Sequence, residues 1–351
     1  MDMPGTDQLK GEAHLDRLGR PLTNLRLSVT DRCNLRCSYC MPEETYTWLP
    51  RADILSFEES ADLVDAFCDV GVRRVRLTGG EPLLRRGLTT LVRLLAAKPA
   101  IEDLAMTTNA ILLDEMAIPL KQAGMGRLTV SLDTLRADRF RELARCDELD
   151  RVVSGIDAAQ SAGFVGTKLN VVVMKGFNDD EIFDLLDFGR ERGIEVRFIE
   201  YMDVGGATRW RPESVVSKRE LMERLELKYG DVKAVSHTHQ AAPAERYQLG
   251  DGTRFGVIAS QTAPFCRTCD RSRLTADGMW YLCLYARIGL DLREVLRAGT
   301  PRGVIAQRIR RAWGARADRA AEERSLLGNR TGLAAEELRS DPHLEMHTRG
   351  G

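Results

Sequence analysis

The stretch Leu25-Arg26-Leu27-Ser28-Val29-Thr30-Asp31-Arg32-Cys33-Asn34-Leu35-Arg36-Cys37-Ser38-Tyr39-Cys40 opens as a β-rich run, Leu25 to Asp31, and ends in three thiols spaced C-x3-C-x2-C. A second trio, Cys266, Cys269 and Cys283, stands far downstream as C-x2-C-x13-C. A cubane of four irons takes four thiolates, so two clusters held by three Cys each would both leave one iron open to another ligand. Chemistry can happen at such an iron. Structural zinc fits less well, because C-x3-C-x2-C has no adjacent fourth Cys or His to close the site.

Outward from this stretch, five more β-rich runs alternate with helix-like segments: Arg73-Gly80, Leu104-Asn109, Leu128-Asp133, Lys168-Met174 and Glu195-Met202. Their spacing suits βα units, which build an α/β fold around a parallel sheet. Ser56-Phe57-Glu58-Glu59 has the S-x-x-E form of a capping box ahead of the apolar positions Leu63, Val64 and Phe67. Polar residues collect at the strand ends: Thr78 to Glu81, Thr107 to Asn109, and Ser131 to Asp133. In parallel α/β folds the C-terminal edge carries the site, so these residues can converge on one ligand; taken singly, each could equally cap the following helix.

After Asp203 the pattern changes. A Gly205-Gly206 loop precedes an expected hairpin, Tyr247 to Ile258, around Gly250-Asp251-Gly252; a second, Arg273 to Leu284, turns at Ala276-Asp277-Gly278 and would return Cys283 beside Cys266 and Cys269. The final stretch, Arg316 to Gly351, is charged and poor in aromatics and reads as mobile. The expected division is an extension over 1–24, an α/β unit over 25–202, a second Cys-bearing region over 203–315 and a tail over 316–351.

Composition sets bounds. With 351 residues, 43% hydrophobic and 29% charged, the chain can bury a sizeable core. Lys plus Arg (51) nearly equals Asp plus Glu (52), and a net charge of −1 argues against a nucleic-acid or membrane-surface partner. No run approaches the roughly 20 apolar residues of a membrane helix, and Met1 to Gly11 lacks the apolar centre of a signal peptide, so a cytoplasmic location is expected. In a reducing compartment the two tight Cys groups favour metal over cystine; Cys68 and Cys146 stand apart as structural thiols. His237 and His239 do not complete a metal site by themselves. Arg26 interrupts Leu25, Leu27 and Val29, and Lys168 opens Leu169 to Val173; a cation in a buried strand needs a partner or a ligand.

C-x3-C-x2-C with an aromatic before its last Cys, followed by Gly79-Gly80-Glu81-Pro82, resembles the radical S-adenosylmethionine (SAM) superfamily. The glycine pair would let backbone approach the methionine end of SAM. Phe265-Cys266-Arg267-Thr268-Cys269-Asp270-Arg271-Ser272-Arg273-Leu274 with Cys283-Leu284 narrows this: it is similar to the GTP 3′,8-cyclase family of molybdenum cofactor biosynthesis. Leu25 to Asn34, Arg76 to Leu83, Arg197 to Gly205 and the terminal Gly350-Gly351 agree, so the match runs from Gly19 to the end.

The resemblance implies a partial (β/α)6 TIM-like barrel with a smaller C-terminal region carrying a second iron-sulfur cluster. It implies two [4Fe-4S] clusters, on Cys33, Cys37 and Cys40 and on Cys266, Cys269 and Cys283. Tyr39, Gly80, Ser131 and Met202 would line the SAM site, and Arg26, Arg76, Thr107, Lys168, Arg271, Ser272 and Arg273 would bind GTP. Gly350 and Gly351 would be catalytic, and Arg197 would reach toward the site. The implied reaction cleaves SAM to a 5′-deoxyadenosyl radical that takes the 3′ hydrogen of GTP, giving 3′,8-cyclo-7,8-dihydro-GTP. Implied partners are a flavodoxin- or ferredoxin-type electron donor, cyclic pyranopterin monophosphate synthase as the next enzyme, and a second copy of the chain. Two positions depart from the family pattern, Ala110 where Gly is usual and Arg349 where an aliphatic residue is usual; the latter bears on how the tail packs. Other readings are a radical SAM peptide maturase, which usually brings more auxiliary Cys, an iron-sulfur electron carrier without turnover, and an RNA-modifying radical enzyme.

Overall fold

The computed structural model describes residues 14–236, 241–327 and 330–350. Residues 1–13, the His237/His239 pair and Gly351 lie outside the described residues. All six expected runs are strands: β1 Asn24–Ser28, β2 Arg74–Thr78, β3 Asp103–Thr108, β4 Arg127–Ser131, β5 Lys168–Val173 and β6 Glu195–Glu200. They pair in sequence order and in parallel. Helices fill the intervals, among them α1 Phe57–Cys68 after β1 and α2 Leu88–Ala96 after β2. The capping box at Ser56 and Glu59 is made from both sides, closing the N-terminus of α1.

Strand faces alternate as a barrel wall requires. In β5, Leu169, Val171 and Val173 are buried on the helix side, while Lys168, Asn170 and Val172 alternate with them. The apolar core is therefore a shell between sheet and helices, and the inner face is free for polar work.

The chain beyond residue 203 does not make a sheet of its own. It adds β7 Lys233–Val235, β8 Glu245–Gln248, β9 Arg254–Ile258, β10 Arg271–Leu274, β11 Met279–Tyr281 and β12 Leu290–Asp291, for a sheet order of β12-β11-β10-β1-β2-β3-β4-β5-β6-β9-β8-β7. Both expected hairpins form, β8 with β9 and β10 with β11. The inner strand of each joins the barrel in parallel, β9 on β6 and β10 on β1.

The expectation of a mobile tail is corrected. Helical segments at Ala320–Ser325, Ala335–Ser340 and Met346–Arg349 fold back on the barrel, and His347, Thr348 and Arg349 are each at most 2% exposed. Arg349 is the reason the charge reading failed. It donates to the carbonyls of Leu284 (2.7 Å) and His343, and its guanidinium stacks 4.2 Å over the Tyr281 ring.

Candidate active site

Because β10 runs parallel to β1, the two Cys trios fall at opposite ends of the barrel: Cys33, Cys37 and Cys40 follow the C-terminal end of β1, whereas Cys266 and Cys269 precede the N-terminal end of β10. Cys283, just past antiparallel β11, returns to that second end. All six nevertheless line one cavity of about 310 Å³ that runs between the ends.

The first loop is fixed by backbone. Gly80 N–H donates to Thr30 O (2.9 Å) and Glu81 N–H to Arg32 O (2.8 Å), tying the end of β2 to the approach to Cys33. A Cβ on Gly79 or Gly80 would strike the carbonyls of Thr30 or Arg32. The glycine pair thus makes room first for the loop's own main chain. Glu81 is buried, accepting from Leu83 N, Thr108 Oγ1 and Asn109 N; burial pushes its carboxyl up to about 7. Asp133 accepts from Tyr39 Oη (2.8 Å) and Val172 N (2.7 Å), and burial raises it to about 6. Tyr39 is therefore anchored across the cavity floor between the last two cysteines of its trio.

The second loop is held by two arginines that sequence reading did not single out. Arg20, 1% exposed, donates to Cys266 O (2.9 Å) and is paired with buried Asp16 at 2.5 Å. Arg316, 4% exposed, donates to Cys269 O (3.0 Å) and to Asp318 (2.8 Å). Their role rests on contacts with carbonyls 246 residues away for Arg20 and 47 for Arg316, which no local pattern carries.

The donor sets fit clusters. All eight cysteines are free thiols. Burial pushes Cys33 and Cys283 up to about 11 and raises Cys37 and Cys40 well above the usual thiol range, so a bound metal would favour the thiolate form of these sulfurs. Cys269 differs: burial raises it, but Arg271 and Arg316 together bring it below its usual value. Among the described residues no three His, Cys, Asp or Glu side chains converge on a single ion. Thiolates of a cubane each take a separate iron and stand wider apart than ligands all about 2.3 Å from one zinc.

Between the trios lies a row of cations. Register sets Arg273, Arg26 and Arg76 side by side on β10, β1 and β2, followed by Ala105 and then Arg127 on β3 and β4. Like charges directly opposite one another destabilise a sheet unless an anion joins them. Burial, then neighbouring arginines, push Arg26 well below the usual guanidinium range; burial first, then Arg271, pushes Arg273 to about 9, and burial and Arg127 push Arg76 to about 10. Arg127 is paired with Asp103, while Arg76 donates to Thr129 Oγ1 (3.0 Å) and Thr107 Oγ1 (3.3 Å).

Of the expected site residues, Arg26, Tyr39, Gly80, Thr107, Ser131, Met202, Arg271, Arg273 and the six cysteines line the main cavity. Arg76 lies in the row beside it. Lys168 opens instead into a separate pocket of about 570 Å³ at the N-terminal ends of β5 and β6, with Arg197, Glu195 and Arg246. Ser272 is fully buried and not in the lining, since strand alternation turns it away from Arg271 and Arg273. Gly350 sits against Ser28 and Thr78 at φ +67°, and its carbonyl accepts from Arg26 (3.2 Å) and Arg273.

Comparison with known proteins bears on this geometry. Residues 27–189 match the model of the Radical SAM superfamily and residues 194–322 that of Molybdenum Cofactor Synthesis C. A protein named GTP 3′,8-cyclase 3 from Mycobacterium bovis is 54% identical, the match covering 96% of this chain and 90% of that one. GTP 3′,8-cyclase 1 of Mycobacterium tuberculosis is 53% identical (96% and 95%), and GTP 3′,8-cyclase of Acidothermus cellulolyticus 48% (89% and 88%). Among solved structures, Streptococcus suis SuiB bound to S-adenosylmethionine is similar in fold, with TM-score 0.56 and 19% identity over 83% of this chain and 68% of that one.

Proposed function

The chain belongs to the GTP 3′,8-cyclase family of radical SAM enzymes, and we propose that its through-barrel cavity assigns SAM to the first Cys trio and GTP to the second. The activity is the radical conversion of GTP to 3′,8-cyclo-7,8-dihydro-GTP, the first step of molybdenum cofactor biosynthesis. When bound, the first cluster and SAM supply the 5′-deoxyadenosyl radical that takes the 3′ hydrogen of GTP.

The remaining assignments concern this chain's own residues. Cys33, Cys37 and Cys40 hold a [4Fe-4S] cluster with one iron left for SAM, whose place Tyr39, Gly80, Ser131 and Met202 line. Cys266, Cys269 and Cys283 hold a second [4Fe-4S] cluster whose open iron takes the guanine base. Arg26, Arg76, Arg271 and Arg273 neutralise the triphosphate through forked, charge-assisted bonds, with Thr107 beside them and Lys168 extending the cationic track. Of Ser272 we assign only the backbone to this track. Gly350 brings the tail to the reacting end, where a side chain would collide with Thr78 and Ser28; its neighbour Gly351 shares the role. The largely apolar wall of the cavity limits water around a reactive carbon. We further assign the SAM work to residues 25–202 and substrate holding to 203–315, with 1–24 as an extension and 316–351 as a tail. A flavodoxin- or ferredoxin-type donor, hand-off to cyclic pyranopterin monophosphate synthase, a homodimer and a cytoplasmic setting complete the reading.

The observation that carries it is the opening of both trios into one cavity with a cation row between them. Anaerobically reconstituted protein given dithionite, SAM and GTP deuterated at C3′ should move deuterium into 5′-deoxyadenosine and form a GTP isomer. Unlabelled deoxyadenosine with no isomer would contradict the substrate assignment.

A further inference from the structure

Reductive cleavage of SAM consumes one electron from outside the protein. The donor is oxidised by one electron, and the carbon–sulfur bond of SAM takes that electron up as it breaks to release methionine. The cavity is walled by the barrel, so the electron must arrive through a surface close to the first trio.

One stretch of surface joins the two. Arg32, next to Cys33, has a side chain 49% exposed and lies 4.4 Å over the ring of Trp48. Arg36 reaches the same ring (5.8 Å) and that of Tyr46 (5.9 Å), and donates at 2.9 Å to the carbonyls of Cys33 and Leu35. Arg145 donates to Pro42 O (2.5 Å) from the end of the helix Ala137–Ala144, whose last carbonyls accept from Arg36 N and Ser38 N on either side of Cys37. Trp48 and Tyr46 also meet the ring of His347, at 5.7 and 5.3 Å, and His347 lines the cavity. A cationic, aromatic face thus continues from solvent to the wall of the active site.

On this face only Arg32 has a carboxylate partner among the described residues, Asp31. Among the described residues neither Arg36 nor Arg145 has a carboxylate within ion-pair range; both are bonded to main-chain carbonyls. Asp31, 3.5 Å from Arg32, is 3% exposed and already accepts from Leu49 N. Glu43 is half-buried beside Thr208, which leaves Glu44 as the exposed acid of the segment 41–50.

We propose that this face, built by Arg32, Arg36, Arg145 and Trp48 on the loop of the first Cys trio, is where an acidic one-electron carrier protein docks. The inference rests on the radical SAM reading above. Opposite charge steers a carrier to the patch and raises the encounter rate, a contribution that salt removes.

The test compares two reductants on the reconstituted holoenzyme, with SAM cleavage to 5′-deoxyadenosine as readout. With reduced flavodoxin as the acidic carrier, the Arg32→Glu/Arg145→Glu variant should be slower by about tenfold or more at low ionic strength. With dithionite it should match wild type, and iron content should be unchanged. Should the variant lose its cluster, the wild type alone decides: its flavodoxin-driven rate must fall with added salt while its dithionite-driven rate does not. Equal flavodoxin rates in variant and wild type, or no salt effect, would overturn the docking face. No deoxyadenosine from wild type with dithionite would instead sink the radical SAM reading beneath it.

Discussion

Single residues show how far burial among like charges bends ordinary chemistry in this barrel. Lys168 is the clearest case: burial first, then the charges of Arg197 and Arg127, push its amine down to about 7, against which Glu195 pulls only partly. Below that pH the amine is charged in both folded and unfolded chains, and its burial costs stability. The cost fades as pH rises from about 7 toward the ordinary lysine range, where only the unfolded chain still binds the proton. A triphosphate reverses the balance by raising the folded pKa. GTP should therefore bind tightest below pH 7 and weaken above it, by up to about tenfold per pH unit for one linked proton. Calorimetric Kd values from pH 6 to 9 check this. Lys168→Met should flatten the part of the slope above pH 7 that GTP's own ionisation does not explain, and an unchanged slope would remove Lys168 from the phosphate track.

At the scale of elements, the loop after β1 depends on glycines that admit main chain. Gly206 lies against the backbone of Cys40, and Gly205 against Leu344 and Glu345 of the tail, so the loop and the tail share one support. Gly80→Ala should drive a methyl into Arg32 O, cost about 1–3 kcal/mol of stability and lower the iron bound at the first trio. Gly250→Ala, whose Cβ would meet nothing within 4 Å, is the control. Thermal unfolding and iron analysis check both, and equal behaviour of the two would refute the close-packing account.

The six barrel strands were legible because each carries its own period and turn signals. The runs starting at Leu25, Arg73, Leu128 and Glu195 reach two or three residues past the ends of their strands, because the sequence does not mark where the backbone leaves the sheet for the loops at its C-terminal edge. The parallel joins of β9 to β6 and β10 to β1 were not legible. They pair segments distant in sequence, such as Arg26 with Arg273, and no local pattern encodes that register. The tail misled for the same reason: Arg349 looks solvated until Leu284, His343 and Tyr281 are brought to it.

For the whole molecule, β10 and β9 widen the six-strand wall on either side, and the parallel join of β10 to β1 puts the two Cys trios at opposite ends of the strands. One end opens among strand C-termini, as in other α/β barrels. The other is stoppered by the second trio, backed by Arg20 and Arg316. On the proposed reading, the arginine row between them would give GTP one direction in which to lie, its phosphates on β10, β1 and β2 and its base toward Cys266, Cys269 and Cys283. Anomalous diffraction at the iron edge from anaerobic crystals grown with GTP tests this most directly. The account predicts two iron clusters, one on Cys33, Cys37 and Cys40 and the other on Cys266, Cys269 and Cys283, with triphosphate density along Arg273, Arg26 and Arg76 between them. A single cluster, or GTP bound away from that row, would contradict it.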